Sequence, residues 1–364
     1  MLISNNNNHK ATAPAVEKPL QFQLFIPLLS LLICSFITFA SQVTIAPQIV
    51  KSASNISAVA KSAVAEHGQL SIKDGQLVNQ QKQEISLAGP SLYWSNNGWA
   101  GEDFYQKNVI NNISQQWQAS IVRAAMGADF KGSYLTHPED NLKRVERVIE
   151  AAVENGLYII VDWHSHHAEN HTKKAIEFFQ HIARKYGHLP NIIYEIYNEP
   201  LQETDWHSVI KPYSLKVISA IRAIDSDNVI LIGSQSWSQD VDISAKDPIT
   251  GFSNLAYTLH FYAGTHKDEL RAKAQVALDA GLALFVSEWG SVSADGTGDV
   301  DYQETEKWLA FMRKNQLSHC SWSLSKKEEG ASIFKPSAST SGPWSDKDFT
   351  KNGLYLKEII QNWG

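Results

Sequence analysis

Beyond residue 84 the chain settles into a repeating pattern, with short apolar runs separated by longer stretches of helical periodicity. The runs fall at 85–89, 120–124, 157–162, 192–197, 229–234, 256–262, 282–288 and 319–324. Each is short, rich in β-formers and bounded by turn residues, which reads as a strand buried on both faces. Between the runs, apolar residues recur three and four apart. Pro138 opens one helix in its first turn, with Leu142, Val145, Ile149 and Ala152 on one face and Gly156 as its stop. A second is predicted over 171–186, with Ala175, Phe179, Ile182 and Tyr186 inward and Gly187 as C-cap. Others are expected near 103–117, 205–224, 267–280, 302–315 and 352–363, with a short one near Asp240. Strand and helix alternating about eight times over ~270 residues is the pattern and size of a (β/α)8 TIM barrel. The competing open, doubly wound sheet would carry a Gly-x-Gly-x-x-Gly after its first strand, and none is found.

The first part of the chain follows another rule. Residues 1–20 are polar and Asn-rich, and 21–40 are largely apolar and uncharged. That length and placement predict a cleaved signal peptide or an uncleaved membrane anchor over 1–40; either puts the remainder outside the cytoplasm. Residues 41–67 are Ser/Ala/Val-rich and read as a linker. From Leu70 a hairpin turning at Asp74-Gly75 is predicted, placed to plug the bottom of the barrel. The barrel domain is therefore expected over 68–364.

Composition narrows the function. With 43% hydrophobic and 19% charged residues, the chain supports one large core. A net charge of −6 without a Lys/Arg stripe leaves no electrostatic footprint for nucleic acid. The 11 Trp and 12 Tyr suit a cleft that stacks sugar rings. Cys34 and Cys320 lie in unrelated segments and are not expected to pair. No metal or other cofactor is expected, and a monomer is.

The chemistry gathers at strand ends. The run 192–197 is halted by Pro200, which sets down Asn198 and Glu199 where the ladder stops. The run ending Ser287-Glu288-Trp289-Gly290 repeats the construction. Two carboxylates on one rim are what glycoside hydrolysis requires: one protonated to assist the leaving oxygen, one ionised to attack. Trp94, Arg123, His164, Trp237, His260, Tyr262 and Trp322 are predicted on the same rim. Glu288, expected beside Arg123 and the Tyr262 hydroxyl, reads as nucleophile; Glu199, raised by that neighbouring charge, reads as acid and base. Asn198 is the expected donor to the sugar 2-hydroxyl, and His164 and His260 are expected to hold the sugar and orient Glu199. Two alternatives remain: a metal-dependent hydrolase built on His164, His166, His167 and His171, and a non-catalytic carbohydrate-binding barrel.

Ile196-Tyr-Asn-Glu-Pro200 followed by Ser287-Glu-Trp-Gly290 resembles glycoside hydrolase family 5 of clan A. Trp94-Ser-Asn-Asn-Gly-Trp99, Ser120-Ile-Val-Arg-Ala-Ala-Met-Gly127, Asp162-Trp-His-Ser-His166, Tyr257-Thr-Leu-His-Phe-Tyr262 and Trp322-Ser-Leu-Ser-Lys-Lys-Glu-Glu329 sharpen the likeness to its second subfamily, bacterial endo-β-1,4-glucanases of the endoglucanase Z type. The resemblance covers residues 66–364. It implies a retaining double displacement on β-1,4-glucan, with Glu199 as acid/base and Glu288 as nucleophile. It also implies Arg123, His164, Asn198, His260 and Tyr262 around the reacting sugar, Trp322 beneath it, and Trp94, Lys327 and Glu329 at the next sugar. Trp237 would face the leaving group. Pro90, Ser323 and Lys326 depart from the family's usual residues. The type enzymes continue into a Ser/Thr-rich linker and a cellulose-binding module, whereas this sequence stops at Gly364. Soluble or amorphous glucan is accordingly the expected substrate.

Overall fold

The computed structural model describes residues 62–363. The expected signal or anchor segment, and the linker as far as residue 61, lie outside the described residues. Ala63–His67, assigned to the linker by composition, instead forms a short helix. Ser62 caps it, Val64 N–H donates to the Gly156 carbonyl at 3.0 Å, and the Tyr158 hydroxyl holds the Gly68 carbonyl at 2.6 Å. Five residues are too few to show a period, so packing rather than pattern fixes them.

The predicted hairpin forms: β1 (Ser71–Lys73) pairs with β2 (Gln76–Val78), and Asp74 and Gly75 turn with φ of 51° and 78°. Eight parallel strands follow: β3 (Ala88–Leu92), β4 (Ile121–Gly127), β5 (Tyr158–His164), β6 (Ile192–Glu195), β7 (Ile230–Ile232), β8 (Leu255–Tyr262), β9 (Leu284–Gly290) and β10 (His319–Leu324). They close into a barrel in chain order, with β10 against β3. Helices run between them, the longest being Pro138–Asn155, Thr172–Tyr186 and Tyr302–Lys314. Gly156 ends the first in the left-handed conformation, as its position predicts. Gly187 is the C-cap of the second, its N–H on the Ala183 carbonyl, but it stays right-handed (φ −62°), and a Cβ there would meet that carbonyl and the Asp225 carboxylate. It is glycine for room, not for a turn.

The first strand begins later than predicted, at Ala88, and continues through Pro90. At Gly89 the backbone of β4 comes so close that a Cβ would lie 1.7 Å from the Ile121 carbonyl oxygen.

Alternation along each strand builds the interior in tiers. Ile121, Ile160, Ile193 and Cys320 form an apolar floor, onto which Leu70 and Leu77 from the hairpin region pack. Two residues further along β4, β5 and β6 come Arg123, Asp162 and Glu195, all fully buried. Above these lie Ala125, Tyr262 and Trp322, which join Tyr93 and Trp94 in an aromatic cluster. The other strand face, with Val122, Ala124, Ile159 and Val161, packs on the helices.

Candidate active site

Arg123 is the hub of the middle tier. Its Nε and Nη2 donate to Glu195 at 2.7 and 3.2 Å, and Nη1 donates to Glu288 Oε2 at 2.8 Å. Nη2 also donates to Asn198 Oδ1 at 2.6 Å and lies 2.9 Å from Asp162. Burial opposes its charge, but Asp162, Glu195 and Glu288 outweigh burial and hold the guanidinium well above its ordinary value. Burial likewise pushes Glu195 up, yet Arg123 and His260 bring it down to about 2. Because Arg123 can only donate, it takes the carbonyl oxygen of Asn198, and the amide NH₂ is the group left to donate elsewhere.

Glu288 lies within β9, where a register shift in the β8–β9 ladder sets it opposite His260. Its second oxygen, Oε1, accepts from the Tyr262 hydroxyl at 2.7 Å. Gly290 makes room for this, since a Cβ there would lie 2.4 Å from the Tyr262 ring. Glu199 lies beyond the end of β6, and His260 Nδ1 is 3.1 Å from its Oε1. His260 Nε2 donates to Ser287 Oγ at 2.9 Å, and Ser287 donates in turn to Glu195 at 2.8 Å. Glu199, His260 and Glu288 each present an oxygen or nitrogen within 4.8 Å of the others.

The electrostatics reverse one expectation. Burial, and then the charge of Glu199, push Glu288 above the ordinary carboxylate value despite Arg123 and Tyr262. Burial also pushes Glu199 up, but the His260 hydrogen bond and charge bring it below that value. Glu199 is thus not the raised member of the pair. The proton expected on it sits with His260, whose pKa rises to about 9 because Glu195 and Glu199 overcome the cost of burial. The two groups lie 3.1 Å apart and titrate as a pair.

His164 departs from expectation as well. It bonds Asp162 at 2.6 Å through Nδ1, and its ring lies by Trp94 at 4.1 Å, edge to face, and Trp322 at 5.3 Å, nearly parallel. Burial and the nearby cations push its pKa well below normal, so the ring is neutral. It makes no hydrogen bond to Glu199. His166, expected only as a ligand in the metal alternative, does approach: its Nδ1 is 3.1 Å from the Glu199 carbonyl and 3.7 Å from its carboxylate.

The flanking groups take up both sides. Trp94 and Trp322 are buried, and Lys327 pairs with Glu329 while lying over the Tyr93 ring. Trp237 is 39% exposed on a turn after β7. The histidines of the metal alternative do not converge: His171 faces Asp129 at 3.9 Å and His167 faces Glu169 at 4.0 Å. Among the described residues, Glu199, His260 and Glu288 form the cluster able to share an ion.

Sequence reasoning gave no role to Asp162, Glu195 or Ser287. A charged residue two positions along a strand from an inward apolar one was the available signal, as in Ile193–Glu195 and Ile160–Asp162.

A closed parallel barrel with two close carboxylates at its mouth defines the class of barrel glycosidases. A family model described as cellulase (glycosyl hydrolase family 5) matches residues 78–328. The sequence is 50% identical over 309 residues to Endoglucanase Z of Dickeya dadantii, covering 85% of this chain and 70% of that relative. It is 38% identical over 299 residues to an Endoglucanase of Clostridium saccharobutylicum, covering 80% and 65%. The fold superimposes on the catalytic domain of Thermobifida fusca endoglucanase Cel5A with a TM-score of 0.78 and 28% identity, covering 83% of this chain and 100% of that one. The chain belongs to glycosyl hydrolase family 5, the cellulase family.

Proposed function

We propose that the protein is an endo-1,4-β-glucanase that cleaves internal β-1,4-glucosidic bonds of a glucan with retention of configuration. The observation that carries this reading is the gap of at most 4.8 Å between oxygens of Glu199 and Glu288. Retaining glycosidases hold their carboxyl groups about 5–5.5 Å apart, whereas inverting ones leave room for a water at roughly 6.5–9.5 Å.

Glu288 attacks the anomeric carbon as the glycosidic C–O bond breaks, and Glu199 gives its proton to the departing oxygen. Glu199 then removes a proton from water, which attacks the same carbon and releases Glu288. Arg123 and Tyr262 hold the Glu288 carboxylate by both oxygens, fixing its line of attack. The Asn198 amide donates to the 2-hydroxyl. Trp322 floors the reacting sugar beside neutral His164, Trp94 with Lys327 and Glu329 holds the next, and Trp237 supports the leaving sugar. Every group in this scheme comes from one chain, so a monomer suffices. A polymeric substrate also favours a catalytic domain outside the cytoplasm, free or anchored through residues 21–40.

Product analysis on cellopentaose and barley β-glucan tests this. The first-formed reducing ends should be β, and Glu288→Gln and Glu199→Gln should each lower kcat/KM on β-glucan by roughly 10²–10⁴ with the fold intact. An α product, or an active Glu288→Gln enzyme, overturns the assignment.

A further inference from the structure

The turn that carries Trp237 is built unusually. Ser236, Trp237 and Ser238 have φ of 57°, 56° and 57°, three successive left-handed residues without a glycine. L-residues resist this conformation, so the surrounding bonds must hold it. Those bonds run to the segment containing Glu199. The Ser238 hydroxyl, fully buried, donates to the Asn198 carbonyl at 2.8 Å. The Trp237 N–H donates to the Pro200 carbonyl at 2.7 Å. Behind them, Thr258 Oγ1 donates to Ser238 Oγ at 2.8 Å, from a site on β8 two residues before His260. At Gly233 the two segments touch so closely that a Cβ would lie 2.3 Å from the Tyr197 carbonyl oxygen.

We propose that Ser238 is a positioning residue for the proton donor. Its hydroxyl, with the Trp237 amide, clamps the carbonyls on both sides of Glu199 and joins the leaving-group platform and the acid into one rigid unit. The inference rests on the assignment of Glu199 as acid/base. From the β5 side the same residue is held by its N–H on the Ser165 carbonyl at 3.3 Å and by His166 on its own carbonyl. Only the β7 side has a clamp that also supports the aglycone. A sugar resting on Trp237 is thereby presented to Glu199 at a set distance, and proton transfer depends steeply on that distance.

The test separates proton donation from all other steps by choice of leaving group. Dinitrophenolate departs without protonation, whereas a sugar alkoxide does not. kcat/KM, which reports the first displacement, is measured on cellotetraose and on 2,4-dinitrophenyl β-cellobioside for wild type, Ser238→Ala, Ser238→Gly and Glu199→Gln. Both Ser238 variants should lose about 10-fold on cellotetraose and stay within about two-fold on the dinitrophenyl substrate. Alanine strains the left-handed backbone and glycine frees it, so a loss common to both follows from the hydroxyl that both lack. Equal losses on both substrates, no loss on either, or a loss in alanine but not glycine overturns the proposal. If Glu199→Gln itself shows no dependence on leaving group, the acid assignment has failed instead.

Discussion

His260 Nδ1 and Glu199 Oε1 lie 3.1 Å apart, and against the cost of burial Glu195 and Glu199 raise the His260 pKa to about 9. Since the Ser287 hydroxyl is committed as a donor to Glu195, the other ring nitrogen of His260 keeps its own proton. With Glu199 as the proposed acid, the pH behaviour of proton donation belongs to the pair.

The expected kcat/KM profile is a bell. Glu288 must be ionised, and its pKa is raised above 4.5, so activity falls as pH drops through a value above that figure. The Glu199–His260 pair must keep its proton, which leaves as pH rises through about 9. A pH titration of initial rates on β-glucan reads both limbs. In His260→Gln the alkaline limb should move to lower pH, because Glu199 must then hold the proton alone.

Tyr262→Phe should lower kcat about 10- to 100-fold with little change in fold, since it removes one of two direct donors to the Glu288 carboxylate. Losing a donor to the charged form also raises the Glu288 pKa, so the acid limb should move up. Circular dichroism with the pH profile checks both halves.

Arg123→Lys should destabilise the protein by roughly 3–5 kcal/mol. Lysine offers one ammonium where the guanidinium bonds Glu195, Glu288 and Asn198 in different directions, and it strands buried carboxylates. Urea unfolding at neutral pH measures the loss.

His319, at the start of β10, is a separate stability element. It is buried, accepts from Trp289 Nε1 at 3.0 Å, and burial holds its pKa at about 3. Between 6.5 and about 3 the unfolded chain binds a proton that the folded chain refuses, so stability falls as pH drops through that window. His319→Gln should flatten that fall, seen as a smaller decline in Tm from pH 7 to pH 4.

The barrel was legible because its strands are buried on both faces and its helices carry a plain period. Glu199 and Glu288 were legible because Pro200 and Gly290 punctuate the chain beside them. What escaped was interaction across strands. The raised carboxylate was assigned to Glu199 from its neighbour's charge alone, but His260 outweighs that charge by direct hydrogen bonding. Glu195 escaped because a strand centre reads as core, and only closure of the barrel brings it under Arg123. His164, expected to orient Glu199, instead bonds Asp162 two residues back on its own strand, where alternation puts both side chains on one face.

The hairpin at Ser71–Val78 stoppers one end of the barrel, with Leu70 and Leu77 against the floor residues. The buried ion cluster is therefore backed by an apolar layer on the side away from the mouth. The weak dielectric screening that lets one guanidinium govern several acids is kept by a segment some fifty residues ahead of Arg123 in the chain. A protease cut in that hairpin is expected to loosen the layer beneath the ion cluster and lower activity on β-glucan while leaving Glu199 and Glu288 untouched, which limited proteolysis followed by rate measurement reads.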